Sequence, residues 1–482
     1  MSLQVRLRPL QAGYRVATFD GGGVLGIVSL VALQNIVEGL PTALSAHHYF
    51  DLIVGTSTGS IISAALGVMQ WPLSNCIDMF CSTAREVFLK KHGMKARVKR
   101  LLRLYTAGAQ YDTTAFCNIL KSMFGTTLMR DGITENKQDL VRVAITSTTF
   151  DSKLCLFRSY GDVLREGERG DYISQSFLDL RLWQAVATSC AAPLMFEPPI
   201  SAQEDVFDGL FAANCPAWVA MMEMNKLSML GTRLLDFSVS FGTGQFLSSG
   251  KNHSRNWLKY IIPEWIQRVG CCLGNAVDAD SMYERFSQTL DSAERDGKHH
   301  RVEPCFTRSP IAPDDPAMLQ DLATETDSYM KRPSSKAKSR RLQLAMLASC
   351  FYGALVMPPT FDSKLGQYCA RLAILSRWPE DDAISNSLGE KLDDASFLVN
   401  SLTYNYQPPL HCTVYLSSLD VPIEIRLTLD GKSSHPISGF PLSVTQLVYL
   451  QRHPTTTRKR SGSFLTGGST KRRRIHDDPA TN

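Results

Sequence analysis

The sequence predicts an α/β protein of three layers, with a mainly parallel sheet held between helices. Three observations predict it. Short apolar runs alternate with stretches of helical periodicity through the first half of the 482-residue chain. The first two runs each lead into a turn rich in small residues that opens a helix. No internal repeat and no unbroken apolar segment of membrane-spanning length offers a competing architecture.

Residues 16–19 read as the first strand. Residues 26–38 read as a helix with Ile27, Leu30, Val31, Ile36 and Val37 on its buried side, closed by Gly39 and Pro41. Residues 52–54 form a second strand, followed at once by another helix, and residues 141–146, 154–160 and 234–241 form further strands. Residues 52–77 carry no charge, but their Gly, Ser and Thr content and Pro72 suit a buried strand, turn and helix rather than a lipid-facing span. Residues 342–357 are apolar yet shorter than the roughly 20 residues a bilayer requires, and they end at Pro358-Pro359. They read as a core helix, entered through the basic stretch 336–341. Residues 423–429 alternate as a half-buried strand does, and with residues 412–416 and the Asp430-Gly431 turn they predict a small antiparallel module. From Pro454 onward Thr, Ser, Gly, Lys and Arg cannot support a core, which predicts disorder. The expected division is a main domain over 1–335, a helical and β C-terminal module over 336–453, and a basic tail over 454–482.

A hydrophobic fraction of 44% and a charged fraction of 20% exclude a fibrous or mostly disordered chain. The net charge of +5 is confined to one place. Residues 458–482 hold seven Lys and Arg against Asp477 and Asp478, so the body is neutral and no nucleic-acid contact is expected of it. Twelve cysteines show no CxxC pair and no zinc spacing, and no metal or cofactor is expected. The start, Met1-Ser2-Leu3-Gln4, has neither a charged segment with an apolar core nor a myristoylation signal, and no prenylation end is present. The expectation is an intracellular, cytoplasmic protein with reduced thiols, not a secreted one.

Two motifs carry chemistry. Asp20-Gly21-Gly22-Gly23-Val24-Leu25-Gly26 follows a strand and opens a helix, so unobstructed backbone N–H groups make a pocket for negative charge. Gly21, Gly23 and Gly26 also satisfy the dinucleotide pattern, which keeps a dinucleotide-binding protein as a minor alternative. That pattern wants an acidic residue after the next strand, whereas Asp51 precedes it. Ile27 after Gly26 excludes a Walker loop. The second motif is Gly55-Thr56-Ser57-Thr58-Gly59, a serine on a sharp turn between small neighbours. Ser57 comes too early for the α/β-hydrolase order, and His299, His300 and His411 read as surface or structural residues. Together the motifs put an anion pocket and a nucleophile at one edge of a parallel sheet, a layout suited to acyl transfer.

At this point the sequence resembles the patatin-like phospholipases, in particular their calcium-independent fungal-type members, over about residues 15–330. Residues 187–196, the block Asp208-Gly209-Leu210-Phe211-Ala212-Ala213-Asn214-Cys215-Pro216 and the turn Phe241-Gly242-Thr243-Gly244 are similar to later family segments in the expected order. The resemblance implies a patatin-like fold and a Ser–Asp dyad without histidine. Ser57 would be the nucleophile, Asp208 the proton acceptor, and the N–H groups of Gly22, Gly23 and Val24 the oxyanion hole. It implies a metal-independent lipid acyl hydrolase acting on glycerophospholipids or related lipids at a membrane or lipid interface. The alternative is a catalytically silent scaffold of the same fold. Two positions depart from the family pattern: Leu25 stands where a basic residue is usual, and Leu210 where a second Gly is. If Leu210 needed a left-handed backbone, it would cost about 1–2 kcal/mol and displace Asp208. Asn214 reads as the cap of the next helix, with Pro216 in its first turn.

In the tail, residues 458–460 and 471–474 have bipartite nuclear-import spacing. The same charges fit anionic lipid, which gives two partner classes for this segment, an import receptor or a membrane surface.

Overall fold

The computed structural model describes residues 9–42, 44–88, 109–132, 141–149, 151–161, 179–199, 206–228, 234–247, 278–292, 297–378, 383–406 and 409–452. The basic run 458–474 lies outside the described residues.

Six strands in chain order are β1 (Tyr14–Phe19), β2 (Leu52–Thr56), β3 (Arg142–Thr149), β4 (Leu154–Arg158), β5 (Val206–Asp208) and β6 (Leu235–Phe241). The short β7 (Gln245–Phe246) and then β8 (His299–Val302) follow. The central sheet runs β4-β3-β2-β1-β6-β8, with β5 attached to β3. The pairings β3–β2, β2–β1, β1–β6 and β6–β8 are parallel; only β4 and β5 run antiparallel to β3. The chain is therefore mixed α/β with a mainly parallel sheet.

The layering follows from strand alternation. Ala17, Phe19, Ile53, Val143 and Ile145 face one way and pack with Ile27, Leu30 and Val31 of α1 (Gly26–Val37). Tyr14, Val16, Leu52, Val54 and Ala144 face the other way, onto Val219, Ala220 and Met224 of the helix Ala217–Leu227. Successive strand residues are apolar because both faces are covered. All six residues of β1 are buried.

Phe19 pairs with Gly55, so the loops after β1 and β2 leave the same sheet edge. The chain winds from β1 toward β2 and β3 on one side and returns to β6 on the other. The loop after β1 thus sits at the switch point where open α/β sheets bind ligands.

The C-terminal part departs from expectation in one respect. Residues 342–357 are not one helix. The helix Pro333–Ala348 includes the basic stretch and stops, and Phe351–Leu355 is a strand paired antiparallel with Gln367–Ser376. The run changes structure where aromatic Phe351 and Tyr352 enter, and Gly353 leaves room for the Phe440 ring. Two four-stranded antiparallel sheets follow. In the strand Ile425–Leu429, Ile425 and Leu427 are buried, and the Asp430-Gly431 turn takes φ of 52° and 63°, as a tight hairpin requires. One continuous apolar core joins this part to the N-terminal half, from Ala17 to Leu450.

At the edge opposite those loops, charges are buried. Arg15 grips Asp51 with two hydrogen bonds of 3.0 Å. Arg377, at the end of the strand Gln367–Ser376, donates to Ser438 Oγ at 2.7 Å, to the Ser349 carbonyl at 2.7 Å and to Asp236 Oδ2 at 3.4 Å. Arg377 is 1% exposed. Burial and the neighbouring Arg15 charge hold its guanidinium down to about 10.

Candidate active site

The glycine loop leaves β1 and is pinned on both sides. The Asp20 N–H donates to the Phe241 carbonyl and the Gly21 N–H to the Asn214 carbonyl, each at 3.1 Å. Gly23 takes φ of 61°, and a Cβ there would stand 2.1 Å from the Pro313 carbonyl oxygen. Only glycine fits that position. Among the described residues, the Gly22 and Gly23 N–H groups donate no hydrogen bond. Val24 differs from expectation: its N–H donates to the Pro313 carbonyl at 2.8 Å. A donor already paired cannot hold an oxyanion, so two of the three expected groups stay open. Gly26 then begins α1 with the Phe80 ring against it.

Ser57 follows β2 with φ of 52° and ψ of −124°, a strained conformation for a residue with a side chain. It exposes Oγ above the sheet edge at the start of α2 (Thr58–Ser63). Small neighbours make the turn feasible. A Cβ on Gly59 would lie 2.2 Å from the Phe19 carbonyl oxygen, and one on Gly55 would strike the Gly59 carbonyl. The Ser57 N–H donates to Ser189 Oγ at 2.9 Å. Ser189 ends the helix Leu182–Ser189, within the stretch 187–196.

Asp208 arrives on β5, opposite Ser147 of β3. Gly209 follows it against Thr146, with no room for a side chain. Ser57 Oγ donates to Asp208 Oδ2 at 2.8 Å, and the Leu210 N–H donates to Asp208 Oδ1 at 2.9 Å. Leu210 opens a short helix and does not take a positive φ. The strain conditionally expected of it does not arise, and its N–H steadies the carboxylate. Burial pushes the Asp208 carboxyl up to about 7, against the pull of the hydrogen bonds from Ser57 and Leu210.

Asn214 is another correction. It ends the short helix Leu210–Ala213, and Pro216 stands in the N-cap position of the next helix, which Asn214 therefore does not occupy. Its carbonyl holds the glycine loop and it lines the cavity. Leu25 packs against the apolar core.

Ser57, Asp208 and Gly21–Gly23 border a cavity of about 140 Å³. Its walls are apolar, with Ile61, Phe80, Val87, Phe88, Phe116 and Phe196 among them. Phe116 and Phe196 stack at 4.8 Å. No histidine lines it among the described residues. His299 instead bonds Ser238 Oγ at 2.7 Å on the far side of β6, and burial holds its ring down to about 4. Among the described residues no cluster of three His, Cys, Asp or Glu could hold a metal. None of the helices described there is long and apolar enough to cross a membrane.

The sheet and the serine turn define an α/β protein with a nucleophile-type elbow beside a glycine anion loop. Residues 17–221 match the family model for patatin-like phospholipase, and the chain carries a patatin-like phospholipase domain. It is 28% identical to human calcium-independent phospholipase A2-gamma over 331 residues, 68% of this chain and 39% of that protein. It is 23% identical to Arabidopsis thaliana patatin-like protein 1, covering 78% of this chain and 94% of that one. The chain thus spans about two-fifths, 39%, of the phospholipase A2-gamma sequences it matches. Among solved structures, human GIVD cytosolic phospholipase A2 aligns with a TM-score of 0.35 at 11% identity, over 70% of this chain and 60% of that one.

Proposed function

We propose that the chain is a lipid acyl hydrolase that uses Ser57 and Asp208 as a dyad, without a metal. The observation that carries this reading is the 2.8 Å hydrogen bond from Ser57 Oγ to a buried carboxylate at the mouth of an apolar cavity. In the proposed reaction Ser57 Oγ attacks the acyl carbonyl carbon and its proton passes to Asp208 Oδ2. The negative oxygen of the tetrahedral intermediate faces the Gly22 and Gly23 N–H groups. As the ester C–O bond breaks, Asp208 returns the proton to the leaving alcohol. Water then attacks the acyl-serine with Asp208 again as base, releasing a carboxylic acid and restoring Ser57. The substrates proposed are glycerophospholipids or related acyl esters presented at a lipid surface.

A fluorophosphonate probe tests the reading. Covalent labelling that disappears in Ser57→Ala is expected; no labelling of folded wild-type protein at Ser57 would sink it.

The raised Asp208 carboxyl sets a pH dependence. An ordinary aspartate is ionised far below neutrality, whereas this one gains its proton below about 7 and then accepts none. On a soluble ester, kcat/KM should rise with pH through that value and fall about tenfold per unit below it. A profile flat down to about pH 5 would contradict Asp208 as the base.

The cavity also sets a preference. A space of about 140 Å³ is close to one that holds benzene, so about six carbons of an acyl chain fit beyond the carbonyl before aromatic rings must move. Phe116→Leu opens the stacked end, and the preferred chain in a series of p-nitrophenyl esters should lengthen. An unchanged preference would place the acyl chain elsewhere.

A further inference from the structure

A group of charges lies behind the glycine loop, outside the cavity, and the reaction above does not use it. Arg301 on β8 is its centre. Its Nη1 stands 2.7 Å from Asp20 Oδ2 and donates to Ser240 Oγ at 2.8 Å. Its Nη2 donates to Asp280 Oδ1 at 2.9 Å and to Glu303 Oε2. The guanidinium lies over the Tyr283 ring at 5.0 Å. Asp20 is fully buried; its contact with Arg301 is an ion pair, and its Oδ1 accepts no hydrogen bond among the described residues.

Two paths lead from this guanidinium to the same backbone. The first is the Asp20 carboxylate, one residue before Gly21. The second is Glu303, whose other oxygen accepts the Gly244 N–H. A Cβ on Gly242 would collide with Glu303, so the turn 242–244 lies directly on that carboxyl group. Between the two glycines, the Thr243 side chain presses on Gly22, where a Cβ would meet Thr243 Cγ2 at 2.7 Å. Both paths end at the N–H groups beside Ser57.

We propose that Arg301 is a positioning residue for the oxyanion loop, holding Gly22 and Gly23 through Asp20 on one side and through Glu303 and the 242–244 turn on the other. The inference rests on the acyl hydrolase reading and deepens it. Arg301 does not line the cavity and touches no reacting atom. Its contribution is to keep two donors aimed at a site where charge develops only in the transition state, and such an effect enters kcat rather than KM. A flexible lysine has one point charge and cannot span Asp20, Asp280, Ser240 and Glu303 together. Burial pushes Asp20 up to about 6 and Glu303 up to about 8, against the pull of the Arg301 guanidinium on both.

The test uses the full chain and a soluble p-nitrophenyl ester, with rates referred to the amount of Ser57 labelled at completion by a fluorophosphonate. Arg301→Met is expected to lower kcat about 100-fold with KM within about twofold, and Arg301→Lys to recover part of the loss. Equal kcat per labelled serine in Arg301→Met would overturn the proposal and leave the hydrolase reading intact. Should that variant fail to fold, Glu303→Gln decides: it keeps an acceptor for Gly244 while weakening the bond to Arg301. A lower kcat at constant KM supports the proposal, and an unchanged kcat overturns it. A wild-type chain that neither labels nor turns over removes the hydrolase reading, and the proposal with it.

Discussion

Replacing Ser57 with Ala, or Asp208 with Asn, is expected to lower turnover of a soluble ester at least about 1000-fold, because each removes one half of a unit. The two variants should differ in stability. Ser57→Ala relieves none of the desolvation of the carboxylate and removes a donor to it. Asp208→Asn removes a buried carboxyl whose charged form is disfavoured in the folded state. The sign follows from its raised value. A group that binds its proton more tightly when folded contributes stability below its unfolded value near 4 and loses it as pH rises through about 7. Asp208→Asn should therefore melt higher than wild type at about pH 8 and show no such gain at about pH 4. Thermal melting beside esterase assays separates the outcomes. An Asp208→Asn protein with wild-type turnover would remove Asp208 from the chemistry.

The second large effect falls on folding. Arg377→Ala is expected to destabilise the protein by about 3–5 kcal/mol, because it leaves buried carboxylates without a cation they were folded against. Asp236 loses Arg377 while Ser438 and the Gly439 N–H remain, at 2.5 and 2.8 Å. The change also frees the Ser349 carbonyl from its donor. The paired variant Arg377→Met with Asp236→Asn should recover much of the loss, since cation and carboxylate leave together. The network lies at the N-terminal ends of β1, β2 and β6, away from Ser57. Turnover per labelled serine should accordingly hold while the denaturant midpoint drops. A midpoint equal to that of wild type would show that the buried charges are stabilised by something other than Arg377.

What was legible in the sequence was local. The glycines after residue 20, the serine among small residues, and the apolar runs before each are signals within a few positions, and the structure places them at one sheet edge. The Asp208 segment was legible only through resemblance, because an Asp-Gly pair alone reads equally well as a turn. Residues 342–357 misled because a buried helix end and a buried strand share the same apolar composition. Val24 misled because its partner, Pro313, comes from a distant segment with no marking feature. Ser189 and Arg301 were missed, and Asn214 was read as a helix cap, for the same reason: each acts through a contact that only the folded sheet creates. The feared cost at Leu210 vanished because the backbone there is right-handed, which one residue's identity does not reveal.

The hydrogen bond between Ser57 and Asp208 joins residues 151 positions apart. On a ribosome adding about 5–20 residues per second, the serine emerges many seconds before its partner, and Arg301 and Arg377 follow later still. On the proposed reaction, the serine has no base throughout that interval and its loop lacks the support proposed for Arg301. A chain that cuts lipids would leave synthesis harmless to the membranes around it, becoming competent only when its last structural pieces are in place. Nascent chains halted before residue 208 should take no fluorophosphonate label.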